Sequence, residues 1–284
     1  MKKLILFLSV VLIALLVVML SLPSENDPHE QIPPAAEPTE SMAPTETNPT
    51  DPTQPSEPTL QNNPYSPDDF VYRGDFLTCV KAPCQLGVDV SKYQQNVDWK
   101  KVAASGITFV MIRIGGRGYG QAGNLYADEL AQSHYDGAKA AGLKVGAYFF
   151  SQAISPEEAR EEAQYALQLT ENWQLDMPIV FDWEYVSPTA RTANTDAQTV
   201  TACAAAFCDT ILAANKRPMI YVRPELNKLD LEQLAAYDHW VAWYSDTMDY
   251  PNAFAMWQYT KTGKVPGISG NVDINLYMNE KNGA

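Results

Sequence analysis

After Lys3, basic residues are missing from the first quarter of this chain. Between Lys3 and Arg73 there is no Lys or Arg, against ten Asp or Glu. The net charge of −14 divides as +2 for Lys2 and Lys3, −10 for residues 4–72 and −6 for the remainder. The acidity therefore belongs mainly to the N-terminal part and says little about a substrate. It does argue against nucleic acid as a partner, because that needs a basic face. Histidine is scarce as well: His29, His134 and His239 are scattered. Cysteine is limited to four residues. Cys203 and Cys208 have no second Cys pair or nearby His cluster to complete a metal site, so no metal and no organic cofactor is expected. Five residues apart in an Ala-rich helix, those two point to different faces and read as small buried thiols. Cys79 and Cys84 flank a Val-Lys-Ala-Pro loop and could form a disulfide in an external compartment. Large apolar residues are almost absent from Pro23 to about Asp69, where Pro, Glu, Thr, Ser and Asn dominate. Such a segment cannot bury enough surface to offset its ordering entropy and should be a disordered linker.

What is present falls into three parts. Met1-Lys2-Lys3 precedes an apolar run from Leu4 to Leu22 broken only by Ser9 and Ser21. At about 19 residues it is long enough to span a bilayer. No small-x-small cleavage site is evident, so an uncleaved signal anchor fits better than a cleaved signal. The chain beyond Leu22 would then be extracytoplasmic, membrane-anchored or secreted. The expected organisation is a signal anchor or signal peptide at 1–22, a linker at 23–70 and one globular domain at 71–284, acting as a monomer. The globular part is long enough for one sizeable core.

Within that domain short apolar runs alternate with amphipathic helices. Strands are expected at Leu86–Ser91, Thr108–Ile114, Lys144–Phe150, Ile179–Trp183 and Pro218–Val222. Helices are expected at Val97–Ser105, Tyr126–Ala141, Ser155 to about Glu171, Thr195–Asn215 and Leu231–Tyr237. A Gly-rich loop, Gly115–Gly120, follows the second strand. After residue 237 the helices stop, and Trp240–Tyr244, Phe254–Tyr259 and Val272–Tyr277 read as strands joined by loops. Alternating β and α units imply a parallel sheet. Eight strands suggest an α/β, TIM-like closed barrel whose last helices are missing. A doubly wound open sheet is the alternative.

The stretch Pro178-Ile-Val-Phe-Asp182-Trp-Glu184 begins as a strand and ends in two acids two residues apart. Strand side chains alternate, so both acids face one side, roughly 6.6 Å apart along the strand. One carboxyl protonated and one ionised is what glycoside hydrolysis requires. A polar strand end facing water is the plain alternative. The C-terminal strand ends, where such barrels carry their sites, add Asp89, Tyr148, Phe150, Tyr221, Trp243, Trp257, Gln258 and Asp273. Aromatic faces stack on sugar rings and carboxylates bond hydroxyls. Any one of these aromatics could equally fill core, Tyr221 and Trp243 above all. Asp89 and Asp273 lie inside apolar strands, where an unpaired carboxylate is costly.

Gly87-Val-Asp-Val-Ser-Lys-Tyr-Gln94, Asp98-Trp99, Gly146-Ala-Tyr148, Phe181-Asp-Trp-Glu184, Trp257-Gln-Tyr-Thr260 and Gly267-Ile-Ser-Gly-Asn-Val-Asp-Ile-Asn275 together resemble the family 25 glycoside hydrolases, the Chalaropsis-type lysozymes. The match runs in order from about Leu86 to Tyr277. The resemblance implies a (β/α)5(β)3 barrel. It implies cleavage of the β-1,4 bond between N-acetylmuramic acid and N-acetylglucosamine, with peptidoglycan glycan strands as the partner. It implies Glu184 as general acid, Asp182 as its partner on the same strand, and Asp89 and Asp273 as the other active-site acids. Trp183 stands where a small aliphatic residue is frequent, and residues 115–123 depart from the common pattern after the second strand. A chitinase-like hydrolase and a non-catalytic, membrane-tethered wall-binding protein are the competing readings; the four acids argue against the second.

Overall fold

The computed structural model describes residues 58–278; the expected N-terminal span and most of the linker lie outside them. Among the described residues no helix is long and apolar enough to cross a membrane. The chain opens with an antiparallel hairpin, β1 (Phe70–Arg73) and β2 (Phe76–Cys79). There follow β3 (Gln85–Val90), α1 (Trp99–Ala104), β4 (Phe109–Arg117), β5 (Leu125–Ala127), α2 (Ala131–Ala140), β6 (Lys144–Ser151), α3 (Pro156–Leu169) and β7 (Ile179–Trp183). The chain continues through α4 (Ala197–Ala213), β8 (Pro218–Val222), β9 (Asp238–Ala242), β10 (Met256–Gly263) and β11 (Val272–Tyr277). Asp98, Ser155 and Asp196 each accept a backbone N–H of the first turn of α1, α3 and α4, which fixes where those helices start.

Strands β3, β4, β6, β7, β8, β9 and β10 pair in parallel, each with the next. Strand β11 lies antiparallel between β10 and β3 and closes the sheet into an eight-stranded barrel. Closure rules out the open doubly wound sheet. Alternation then divides the side chains into two cores. Phe109, Met111, Met177, Val180, Met219 and Met256 fill the barrel's interior. Val88, Val110, Ile112, Phe149, Phe181, Phe207 and Trp257 pack outside it, mostly under the helices.

Several expectations need correction. Residues Leu231–Tyr237 form turns, not a helix: Leu234 and Tyr237 donate to carbonyls three residues back. A window this short gives little return for the cost of nucleating a helix. Four α-helices, not five, thus flank the barrel among the described residues. The expected Gly-rich loop is partly strand, because β4 runs through Gly115 and Gly116 to Arg117 and pairs with β5. A Cβ at Gly115 would collide with the Tyr126 carbonyl, and one at Gly116 with Tyr126 and Phe150. These glycines permit close strand approach rather than a turn. Tyr126 accordingly belongs to β5, and the helix expected from it begins at Ala131. Cys79 and Cys84 are not bridged; the Cys79 amide donates to Cys84 Sγ at 3.2 Å. Cys203 and Cys208 are buried in α4 as thiols.

The β1–β2 hairpin covers the side that the missing helices leave bare. Phe70, Leu77 and Cys79 are buried. Phe70 meets outward-facing Trp257 edge-on, with ring centroids 5.0 Å apart. Tyr65 packs on Phe70 and Phe254, and Asn62 bridges to Asn252. Contact with the barrel therefore begins upstream of residue 71.

Candidate active site

Parity decides which side chains reach the barrel's mouth. On β7 the inward set is Val180 and Asp182, with Glu184 just past the strand. On β8 it is Met219 and Tyr221, followed by Arg223. β9 contributes Trp240 and Ala242, and Tyr244 follows in step. Met256 and Gln258 come from β10; Asp273, Asn275 and Tyr277 come from β11. The result is a cleft of about 290 Å³ lined by all four expected acids (Asp89, Asp182, Glu184, Asp273) and by Tyr148, Tyr221, Arg223, Trp240, Tyr244, Gln258 and Lys261.

Asp89 and Asp273 stand directly opposite each other on β3 and β11. Asp89 Oδ2 accepts from Gln258 Nε2 at 2.9 Å and from Asn275 Nδ2 at 2.8 Å. Asn275 Oδ1 accepts from Trp240 Nε1 at 2.9 Å, which fixes the amide's orientation. Gln258 Oε1 accepts from Tyr221 at 2.6 Å and Tyr244 at 2.9 Å, fixing the other amide. Burial, then the charge of Asp273, pushes Asp89 well above the usual carboxylate range. Burial lifts Asp273 to about 6, while a hydrogen bond from Asp89 pulls it back down. The two carboxyls therefore titrate as a pair, both above the ordinary carboxylate range.

Asp182 is buried, and its Oδ1 has no hydrogen-bond partner. Burial first, then Glu184 and Asp89, raises its carboxyl well above the ordinary range; Arg113 and Arg223 oppose this. Glu184 is partly exposed, and its Oε2 accepts from Arg223 Nη1 at 2.7 Å. The backbone carbonyl of Glu184 accepts from the buried Gln152 Nε2 at 2.8 Å, and Gln152 Oε1 accepts from Thr192.

Seven of the ten residues singled out in the sequence meet in this cleft; three do not. Trp257 faces outward and donates its indole N–H to the Trp243 carbonyl. Trp243 turns away and bonds Asp249. Phe150 shares the face of Tyr148 but sits against Gly116, outside the cleft lining. Adjacent residues on one strand cannot both face inward, so Trp257 and Gln258 cannot both line the cleft. The same rule, applied from Trp240, points to Tyr244 rather than Trp243. Arg223 was two residues past Tyr221 on the same parity. Lys261 follows a register shift in β10, which no periodicity reveals.

The family model described as Glycosyl hydrolases family 25 matches residues 88–268. The chain is 27% identical over 195 residues to Autolytic lysozyme of Clostridium acetobutylicum, covering 67% of this chain and 55% of that protein. It is 27% identical over 203 residues to Lysozyme M1 of Streptomyces globisporus, covering 67% of each. The chain thus spans little more than half of the Clostridium relative. Among solved structures, a bacterial lysozyme from Streptomyces coelicolor aligns at TM-score 0.57 and 25% identity, over 70% of this chain and 93% of that one. The modular autolysin LytC of Streptococcus pneumoniae, also solved in complex with a synthetic peptidoglycan ligand, aligns at TM-score 0.60 and 24% identity, over 68% of this chain and 46% of that one. With the barrel closed, its four acids gathered at one mouth and a family match spanning most of the barrel, this chain belongs to the glycosyl hydrolases of family 25.

Proposed function

We propose that the domain cleaves the β-1,4 bond between N-acetylmuramic acid and N-acetylglucosamine in peptidoglycan. The observation that carries this reading is the cleft itself: Asp89, Asp182 and Asp273 crowd together with no salt bridge among the described residues, beside a fourth acid that has one. The names and ligand of the relatives above support the substrate class.

Glu184 is the proton donor to the glycosidic oxygen. Arg223 holds Oε2, leaving Oε1 for the leaving group. The same carboxyl then activates water for the second step. Asp182 presents a buried, unpartnered Oδ1. As positive charge develops on the anomeric carbon, the ionised form of Asp182 is stabilised, and it can attack, shield that charge or orient the substrate's acetamido group. Asp89 and Asp273 act as a hydrogen-bonded pair that fixes the cleft's charge. One chain supplies every group required, so a monomer suffices. The basic start and the apolar run at 4–22, which lie outside the described residues, support a domain tethered to the outer face of a membrane.

Mass spectrometry of products from purified peptidoglycan tests the proposal. Reducing ends that are N-acetylmuramic acid are expected. Reducing ends of N-acetylglucosamine, or equal turnover of chitin fragments, would replace it with the chitinase-like reading.

A further inference from the structure

Beside the catalytic cleft lies a second depression of about 460 Å³, and the two share Tyr244 and Lys261. Its far wall is not part of the family match, which starts at residue 88. That wall is the β1–β2 hairpin, which contributes Tyr72 and Asp75. The hairpin is rigidly placed: Phe70, Leu77 and Cys79 are buried beneath it, and its turn is set by Gly74 at φ +66°. Tyr72 OH donates to Asp246 Oδ1 at 2.7 Å, linking the hairpin to the loop after β9. Thr260, Thr262, Lys261 and Lys264, from the end of β10, also line the depression.

The surface chemistry of this depression is specific. Tyr72 and Tyr244 leave 50% and 42% of their surface exposed, a large apolar area for residues that no core requires. Around them stand hydroxyls and charges of both signs: Thr260, Thr262, Asp75, Asp246, Lys261 and Lys264. Mixed charge disfavours a polyanion, and the polar rim disfavours an acyl chain. Aromatic faces among hydroxyl-binding groups suit a neutral, polyhydroxylated ring. The depression is also continuous with the cleft in which, on the reading above, a glycan strand is cut. We infer that the N-terminal hairpin builds an accessory glycan subsite, binding sugar residues of the same strand beyond those at the scissile bond.

The inference rests on the muramidase reading for its ligand, so its test reads binding rather than cleavage. The affinity of the full chain, with Glu184→Gln in every sample so that the probes stay uncut, is measured by calorimetry for two probes: a muramic acid–glucosamine tetrasaccharide and long strands freed of peptide. With Tyr72 intact the chain should bind long strands more tightly. Tyr72→Ala should weaken long-strand binding roughly 2- to 12-fold, as expected for losing one aromatic contact, and leave the tetrasaccharide unchanged. Tyr72→Phe keeps the ring without the hydroxyl and should retain most of the affinity, separating stacking from the tether to Asp246. Unchanged long-strand affinity in Tyr72→Ala, or equal losses on both probes, would overturn the inference. Failure of the chain with Glu184 intact to cut either probe, despite length-dependent binding, would sink the muramidase reading alone and leave the subsite standing.

Discussion

Two clusters of acids, one behind the barrel wall and one at its mouth, are built in opposite ways. Behind β4 and β6, Glu162 is fully buried, accepting from Arg117 Nε at 2.7 Å and from Ser151 Oγ at 2.6 Å. Its neighbour Glu158 is gripped by Arg191 through two bonds of 2.6 and 2.9 Å. Every acid there has a guanidinium. In the cleft, Asp89 has two amides, Asp182 has an empty Oδ1, and neither has a cation bonded to it. Acids paired this way serve as scaffold; acids left waiting mark the place where a ligand must supply what is missing. The two clusters are also joined. Arg191 donates to the Gln152 carbonyl, and Gln152 holds the Glu184 backbone, so the paired cluster fixes the loop that carries the proposed proton donor.

The largest effect should come from the cleft. Glu184→Gln keeps shape and the Arg223 contact but cannot deliver a proton. Turnover on purified peptidoglycan should fall about 10²–10⁴-fold, the usual worth of general acid catalysis, with the melting temperature nearly unchanged. Near wild-type turnover would remove Glu184 from the role. In the paired cluster the outcome should be reversed. Arg117→Ala strands Glu162 in the interior and should cost about 3–5 kcal/mol of stability at neutral pH. Burial lifts Glu162 to about 7 even with Arg117 holding it down, so the cost should grow as pH rises above that value and level off below it, where the carboxyl carries a proton with or without the guanidinium. Adding Glu162→Gln to Arg117→Ala should recover part of the loss in denaturant unfolding. A double variant no better than the single would mean that packing, not charge, holds this cluster.

The sequence made the scaffold of this site legible and its flanks much less so. Asp89, Asp182, Glu184 and Asp273 could be read because strand order and a period of two put them at one end of one barrel. Trp243 and Trp257 resemble cleft residues in the sequence because aromatic identity carries no parity, and the interior and exterior of a covered barrel are equally apolar. Gly115 and Gly116 read as a loop, since glycine signals both a turn and a close approach. The hairpin went unread for a different reason. Tyr65 and Phe70 sit at the end of a long polar stretch, and the outward Trp257 they cover looks, in one dimension, like any other strand residue.

The smallest effect concerns Asp273 and the acid that faces it. Asp273 rises from an ordinary carboxylate value of 3.8 to about 6 on folding. A group raised in this way stabilises the fold fully below its unfolded value, and that stability is lost as pH climbs through about 6. The contribution of Asp273 should therefore be lost between about pH 4 and pH 6, while Asp89, Asp182 and Glu162, raised as well, carry theirs to higher pH. Asp273→Asn is neutral throughout and can still accept from Asp89 through its amide oxygen. It also relieves Asp89 of the like charge facing it. At pH 7.5 the variant should be more stable than wild type by on the order of 1–2 kcal/mol, discounted for the coupling between the two acids. Its thermal melts across pH 4–8 should be flatter, and its turnover lower. Stability gained together with activity lost would mark Asp273 as an acid kept for function at the expense of the fold. A variant less stable than wild type at pH 7.5, with the same slope, would move Asp273 to the scaffold side of the comparison, beside Glu162.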